Sequence, residues 1–386
     1  MEYRRLDWQE LPLKKVISVI GDHRGRTPPK LTAGKYRVFS AKNIKTGRIV
    51  AEDTIGYFDD ELYAKYVRLE LKRGDIIITS EAPFGEIFYW DSDEKAALSQ
   101  RLFSVRIKDE FCAKFIYYYM TYEEFQSELA RRSCGTTVLG LRQPELLKCL
   151  IRFPPLPTQR KIAKVLSAYD DLIENNAKRI RILERMAEEL YKEWFVRFRF
   201  PGHEKAKFVN GLPEGWRVER LNKLLDVRYG KDHKNISDGD IPIFGSGGVM
   251  RYGARAQYDG ESVLIPRKGS LNNIMYFNGP FWTVDTMFYS IPFVKHIAKY
   301  MYFTLAGYDM ESFNTGAALP SMTTEILSHF KIVVPAEAIL QRFDQHLSSL
   351  FSEKDLLQRQ NALLARQRDL LLPRLMSGKL SVEGVG

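Results

Sequence analysis

A chain of 386 residues is long enough for two or three domains with their own cores, and 45% hydrophobic residues with 12% aromatics exclude wholesale disorder. A formal net charge of +10 points to a polyanionic partner. There is no run of roughly eighteen apolar residues and no signal-peptide core in MEYRRLDWQE, so neither a membrane span nor export is expected and the protein reads as cytoplasmic.

Residues 1–155 are expected to form a first, sheet-rich unit. Tyr36 to Ser40, Asp75 to Thr79, Ile87 to Trp90 and Leu102 to Ile107 are β-branched and aromatic segments separated by Gly, Pro and Asp, the pattern of strands. Phe111 to Arg132 is helical in character, with Phe115, Tyr118, Tyr119, Tyr122 and Phe125 on an aromatic face suited to core packing. Cys112, Cys134 and Cys149 are odd in number and lack CxxC spacing, so they read as reduced, buried thiols.

Residues 156–200 read as one long helix. Ile162, Leu166, Tyr169, Ile173, Asn176, Ile180, Leu183, Ala187, Leu190 and Trp194 alternate by four and three, which sets all of them on one stripe of a coiled coil. Pro154, Pro155 and Pro157 bar an earlier start and Thr158 is placed to cap the helix, which should stop before Pro201-Gly202.

From there the pattern begins again, across residues 201–336 and then 337–386. Trp216 and Leu221 keep the spacing of Trp8 and Leu13, Ile243-Phe244 parallels Val38-Phe39, and Gly260 to Leu264 parallels Gly74 to Ile78. GAALPSMTTEILSHFKIVVP at Gly316 to Pro335 stands 181 residues after GTTVLGLRQPELLKCLIRFP at Gly135 to Pro154. A second stripe runs through Phe343, Leu347, Leu350, Lys354, Leu357, Asn361, Leu364, Arg368, Leu371 and Leu375, with Pro335 suited to the first turn of its helix, a kink at Pro373 and an end near Gly378. Asn176 and Asn361 fall on the two stripes, where an amide costs stability and fixes register.

The order unit, helix, unit, helix is a tandem duplication. If the second stripe packs on the first, the helices are antiparallel and roughly 50 Å long at about 1.5 Å per residue. The expected fold class is α+β, two sheet-rich domains separated by a long antiparallel two-helix coiled coil in a pseudo-two-fold tandem repeat. Such a molecule works as a caliper, able to touch two half-sites of one DNA duplex, whose turns repeat every 34–36 Å or so.

Motifs for chemistry are missing: there is no GxxxxGK[ST] loop, no Asn/Asp-Pro-Pro-Tyr tetrapeptide and no paired histidines. Phe244-Gly245-Ser246-Gly247-Gly248 lacks GxGxxG spacing and reads as a tight turn. Glu70 with Asp59 and Asp60 superficially matches a nuclease's acidic cluster, so a self-sufficient DNA-cutting enzyme with the repeats as clamps stays open beside a non-catalytic reader, as does a coiled-coil scaffold without DNA function.

Four segments carry a resemblance to a known family: Gly135-Thr136-Thr137-Val138-Leu139-Gly140-Leu141, PPLPTQRKIAKVL at Pro154 to Leu166, the helix end ERMAEELYKEWF, and LPEGWRVERL at Leu212 to Leu221. With the duplicated order, the whole chain resembles the specificity (S) subunits of Type I restriction-modification systems. The resemblance implies two target-recognition domains, 1–155 and 201–336, each binding half of a bipartite asymmetric double-stranded DNA sequence. It also implies that the helices set the spacer and dock two methyltransferase (M) subunits, with restriction (R) subunits as further partners. The S subunit would then have no catalytic residue, metal or cofactor of its own, S-adenosylmethionine, ATP and Mg2+ belonging to partners.

Base reading needs donors on loops beside a phosphate-holding surface. In the first unit Arg24, Arg26, Lys42, Asn43 and Lys45, and later Arg131, meet that description. In the second, Lys231, Lys234 and Asn235, then Arg251 and Arg255, do so. Arg267, Lys268 and Ser270, followed by Asn272, are the foremost candidates, because they follow an apolar strand and resemble a loop pattern common in these recognition domains.

Overall fold

A computed structural model describes residues 8–25, 27–135, 139–314 and 320–382. The chain divides between Asn175 and Asn176 and again between Arg359 and Gln360 into two compact units, the first containing both ends of the described chain.

In the first unit β1 (Gln9–Pro12) leads to β2 (Ile17–Asp22), β3 (Tyr36–Phe39) and β4 (Gly56–Phe58). These are followed by β5 (Ile76–Thr79), β6 (Ile87–Tyr89), β7 (Ala96–Leu98) and β8 (Leu102–Ile107). The principal sheet has the order β2-β8-β5-β6, all neighbours antiparallel; a smaller one has β4-β3-β7, with β3 and β7 parallel. The helical stretch then divides at Tyr122 into α1 (Ala113–Thr121) and α2 (Glu123–Arg131). Its aromatic face is core as expected, with Phe115, Tyr118, Tyr119 and Phe125 buried. After α3 (Gln143–Lys148), β9 (Leu150–Phe153) pairs antiparallel with β1 and delivers the chain to α4 (Leu156–Tyr191).

The start of α4 corrects one expectation. Thr158 lies inside the first turn, its N–H donating to the Pro155 carbonyl at 2.9 Å. Gln159 ties the entry down instead: buried, it donates to the Pro154 carbonyl and accepts the Cys112 N–H. Cys149 is buried as expected, whereas Cys134 is exposed, and all three cysteines are free.

In the second unit β10 (Arg217–Arg220) is followed by β11 (Leu225–Tyr229), β12 (Ile241–Gly245), β13 (Gly248–Gly253), β14 (Tyr258–Pro266), β15 (Met275–Thr283) and β16 (Met287–Pro292). Here a single sheet has the order β11-β16-β14-β15-β12-β13, and only β12 and β15 run parallel. The topology repeats that of the first unit: the nine-residue β15 does the work that β6 and β7 share, pairing antiparallel with β14 and parallel with β12. The Gly-rich stretch is the turn of the β12–β13 hairpin, with Gly245 opposite Gly248 and φ of +117° at Gly248. Then come α5 (Ala298–Ala306), α6 (Thr324–Ser328) and β17 (Lys331–Val334), which pairs with β10. The last helix, α7 (Glu337–Met376), begins two residues beyond Pro335, accommodates Pro373, and is followed by Gly378 at φ of +69°.

Both long helices, of 36 and 40 residues, contribute to both units. Segments 156–175 and 360–376 serve the first, 176–191 and 337–359 the second. In the first unit Ile162 and Leu166 are buried in one cluster with Leu375, flanked by Leu371. In the second, Ala187 and Trp194 share a cluster with Phe343 and Leu347, flanked by Leu190 and Leu350. The pairing is antiparallel in each: Asp170 meets Arg368 at 2.5 Å and the Asn361 amide donates to the Ile173 carbonyl at 3.2 Å, while Arg179 meets Glu353 at 2.5 Å. Leu183 and Leu357 are buried; Tyr169, Ile173, Ile180 and Leu364 are half-buried, as a two-stranded seam leaves them. Asn176, on the stripe, is buried as well. No helix among the described residues is long and apolar enough to cross a membrane.

Replacing Leu166, fully buried, by alanine should lower stability by about 2–5 kcal/mol. Leu172, 49% exposed on the same helix, should tolerate alanine within about 0.5 kcal/mol. Urea titrations of the two variants check both; equal shifts in midpoint would contradict the seam.

Candidate nucleic-acid interface

An antiparallel centre strand dictates where the loops go. β8 pairs with β2 on one side and β5 on the other, and its register sets Phe103 opposite Asp22 and Leu102 opposite Thr79. The loops leaving β2 and β5 therefore emerge beside the loop entering β8. In the second unit β16 plays the same part, with Phe288 opposite Tyr229 and Met287 opposite Pro266. Each unit thus gathers three loops at one end of its sheet, and a fourth, entering α3 or α6, closes on them: the Leu141 N–H donates to the Ser80 carbonyl at 3.0 Å, and the Met322 N–H to the Arg267 carbonyl at 2.8 Å.

On the first unit this face is polar and largely self-neutralised. Arg24 donates from Nε to Asp22 Oδ1 at 2.9 Å and from Nη2 to Oδ2 at 2.6 Å, while its Nη1 reaches the Leu141 carbonyl at 3.0 Å. Burial pushes the Asp22 carboxyl up, but the hydrogen bonds and charge of Arg24 outweigh it and leave the pKa below its ordinary 3.8. Arg101, at φ of +66°, pairs with Glu81 at 3.0 Å, and Thr27 donates to Gln100 at 2.8 Å. Lys30 differs: burial first, and then the Lys42 charge, lower its pKa.

On the second unit several cations stand open. Lys231, Lys234, Asn235 and Arg255 are exposed, and among the described residues no ion pair holds Lys231, Lys234, Arg255 or Lys268. The loop after β14 is shaped from within. The Arg267 N–H donates to the Thr286 carbonyl at 2.8 Å, its Nη1 to the Asp285 carbonyl at 3.1 Å, and its guanidinium lies 5.2 Å from the Tyr229 ring centroid. Lys268 bridges to Ser321, and the Gly269 N–H donates to the Pro320 carbonyl. Ser270 and Asn272 are exposed, with Asn272 Oδ1 accepting the Met310 N–H at 2.8 Å. Asn273 donates to the Ser246 carbonyl at 2.8 Å, which sets the β12–β13 hairpin tip beside this loop.

Not every candidate reaches such a face. Asn43 is fully buried: its Oδ1 accepts the Ser40 N–H and hydroxyl, and its Nδ2 donates to the Ala51 carbonyl and Thr54. It shapes a turn and has no amide to offer a base. Arg251 is likewise occupied, bonding His233, the Ile236 carbonyl and Asp238, so it stiffens the 233–238 loop. Lys45 is exposed but pairs with Glu86 at 2.6 Å, and Arg131 pairs with Glu128 at 2.9 Å within its own helix. Arg26 lies outside the described residues, as do Thr136, Thr137, Val138 and part of Gly316 to Pro335. The acidic trio is dispersed, with Asp59 capping a helix, Asp60 pairing with Lys35 and Glu70 with Lys95. No group of His, Cys, Asp and Glu fit to hold a metal occurs among the described residues. Tyr229 and Gln100 belong to the faces but were not singled out; superposing the two repeats strand by strand would have found both.

The duplicated sheet with its helix pair is a known architecture. The crystal structure of the Type I restriction-modification system S subunit from M. genitalium matches it with a TM-score of 0.62 at 19% identity, covering 97% of this chain and 98% of that one. Residues 5–185 and 213–365 match the family model of the Type I restriction modification DNA specificity domain, and the chain belongs to that family, the specificity subunits of Type I restriction-modification systems. Among relatives, it is 27% identical over 343 residues to the Type I restriction enzyme MjaIX specificity subunit of Methanocaldococcus jannaschii, covering 81% of this chain and 78% of the relative. To the HindI specificity subunit of Haemophilus influenzae it is 20% identical over 403 residues, covering 80% and 87%. Specificity subunits are non-catalytic, and catalysis lies in their partner subunits.

The Asp22–Arg24 anchor has a defined pH dependence. A carboxyl whose folded pKa is depressed stabilises the fold above its unfolded value and loses that contribution as pH falls through the folded one. The stability difference between wild type and Asp22→Asn should therefore be level from about pH 8 to pH 5 and shrink only below about 3.8. Denaturation at stepped pH measures it; a difference that vanishes near neutrality would refute the anchor.

Proposed function

We propose that this chain is the DNA-reading subunit of its restriction-modification complex, each recognition unit taking one half of a bipartite, asymmetric duplex target through its four-loop face. The observation that carries this reading is that both units bring equivalent loops to one end of an equivalent sheet, where the second offers Lys231, Lys234 and Lys268 without internal ion pairs among the described residues. Cations of this kind hold phosphates and set register, and neighbouring Ser270, Asn272 and Asn235 are of the types that read base edges. The paired helices are the spacer between the half-targets and the docking surface for two methyltransferase subunits, with restriction subunits joining that assembly in the cytoplasm. S-adenosylmethionine, ATP and Mg2+ act on those partners, and this chain contributes sequence choice alone.

Co-expression with its methyltransferase, followed by mapping of methylated adenines, tests the proposal. The expected result is one motif of two short specific blocks around a fixed unspecified spacer. Exchanging residues 1–155 for those of a relative should change one block and leave the other. A continuous motif, or methylation that proceeds without this chain, would sink the reading.

Lys268→Ala should weaken DNA binding by the assembled complex about equally on target and non-target duplexes, and lower the slope of log affinity against log salt by about 1. Fluorescence anisotropy between about 50 and 200 mM salt measures that slope. Loss of discrimination with an unchanged slope would instead make Lys268 a base reader.

A further inference from the structure

Lys299 is the second residue of α5 and only 5% exposed. Its ammonium lies 2.6 Å from Glu261 Oε1 and 2.7 Å from Asp344 Oδ1, with the Tyr276 ring centroid 5.4 Å away. Glu261 belongs to β14 and also accepts the Tyr276 hydroxyl at 2.5 Å; Asp344 belongs to α7, and its other oxygen faces His296 Nδ1 at 2.9 Å. His296 itself holds a φ of +63°, a conformation that a non-glycine residue keeps only where its surroundings insist on it. One buried cation therefore joins three elements of the second unit: the helix behind the sheet, a strand of the sheet, and a spacer helix.

The strand matters because β14 runs directly into the loop at Arg267, six residues after Glu261 and about 20 Å along an extended chain. The energetics point away from a purely stabilising role. Withdrawing an ammonium and its carboxylates from water costs several kcal/mol per ion, and well-packed apolar side chains of the same volume are often as stable or more so. What apolar packing does not supply is direction, since a sheet can roll on a greasy helix, whereas an ammonium shared by two carboxylates from different elements accepts few geometries.

Among the described residues the first unit has no such bridge. Lys114, second residue of α1, also lies over a tyrosine ring, Tyr89, but it is partly exposed and reaches only Asp91 at 3.5 Å. The residue 181 positions before Asp344 is Ala163, which has no charge to offer.

We propose that Lys299 is a positioning residue, which by bridging Glu261 of β14 to Asp344 of α7 fixes the second recognition sheet on its spacer helix and so sets the separation at which the second half-target is read. This rests on the bipartite reading above. The assembled complex, with wild type or Lys299→Met, is assayed for methylation of duplexes carrying the two half-targets at the native spacer and one base pair shorter or longer. The wild type should accept the native spacer alone. Lys299→Met should methylate it about tenfold more slowly while gaining activity on the off-length duplexes.

Should the single variant fail to fold, the neutral triple Lys299→Met, Glu261→Gln, Asp344→Asn leaves no buried charge unpaired and should show the same loss of spacer discrimination. A folded variant with a lower melting temperature but an unchanged ratio of native to off-length methylation would overturn the proposal alone. A wild-type complex with no bipartite requirement would overturn the functional reading and this inference with it.

Discussion

In each unit the two long helices meet along an apolar stripe that charged and amide side chains interrupt, and the interruptions fix the register. An unbroken stripe of leucines can slide by a heptad at small cost. Here a slide would part Arg368 from Asp170 and the Asn361 amide from the Ile173 carbonyl in the first unit, and Lys354 from Glu184, 3.7 Å away, in the second. Parting a half-buried ion pair leaves a desolvated charge with nothing to compensate it, a larger penalty than the pair's net contribution when formed. Asp170 also accepts the Tyr118 hydroxyl at 2.5 Å, so the charge that pins the helices is the one that holds α1 against them. Register of the seam and seating of the first sheet are one constraint.

The two loop faces show how far one topology can diverge in charge. Antiparallel pairing about β8 and β16 delivers the same loops to the same place, and nothing in that geometry specifies which side chains they carry. The first unit balances its cations there, Arg24 against Asp22 and Arg101 against Glu81. The second leaves several lysines unbalanced. Counterion release scales with the phosphates a face neutralises, so under the proposed DNA reading the second unit would contribute more of the salt-dependent affinity than the first.

The duplication and the seam were legible because they rest on periodicity, which survives without knowledge of tertiary contacts. Leu102 to Ile107 was found to the residue, and the strands at Tyr36, Ile76 and Ile87 to within one, because β-branched runs between turn residues have few other conformations open to them. The helix entries were read less well in detail: Thr158, expected as the cap, lies inside the first turn, and Pro335, expected within the first turn, precedes its helix by two residues, while a buried Gln159 holds the first entry. The loops were least legible. Asn43 and Arg251 have the composition of DNA contacts, yet each is consumed by its own loop, and whether a polar side chain faces inward or outward depends on partners many residues away.

That same dependence explains why Lys299 gave no sign of itself in the sequence. Lys114 and Lys299 occupy the same place in matching helices, each over a matching tyrosine, and a reading by repeats assigns them the same part. What separates them lies elsewhere in the chain: Asp344 stands on α7 where α4 has Ala163, and together with Glu261 of β14 it makes a buried junction of Lys299. After a duplication each copy is free to keep the contacts that build a sheet and to change those that join the sheet to its helix. Lys299 shows such a difference at a joint, where a change of contact can reseat the sheet on its helix without altering the fold.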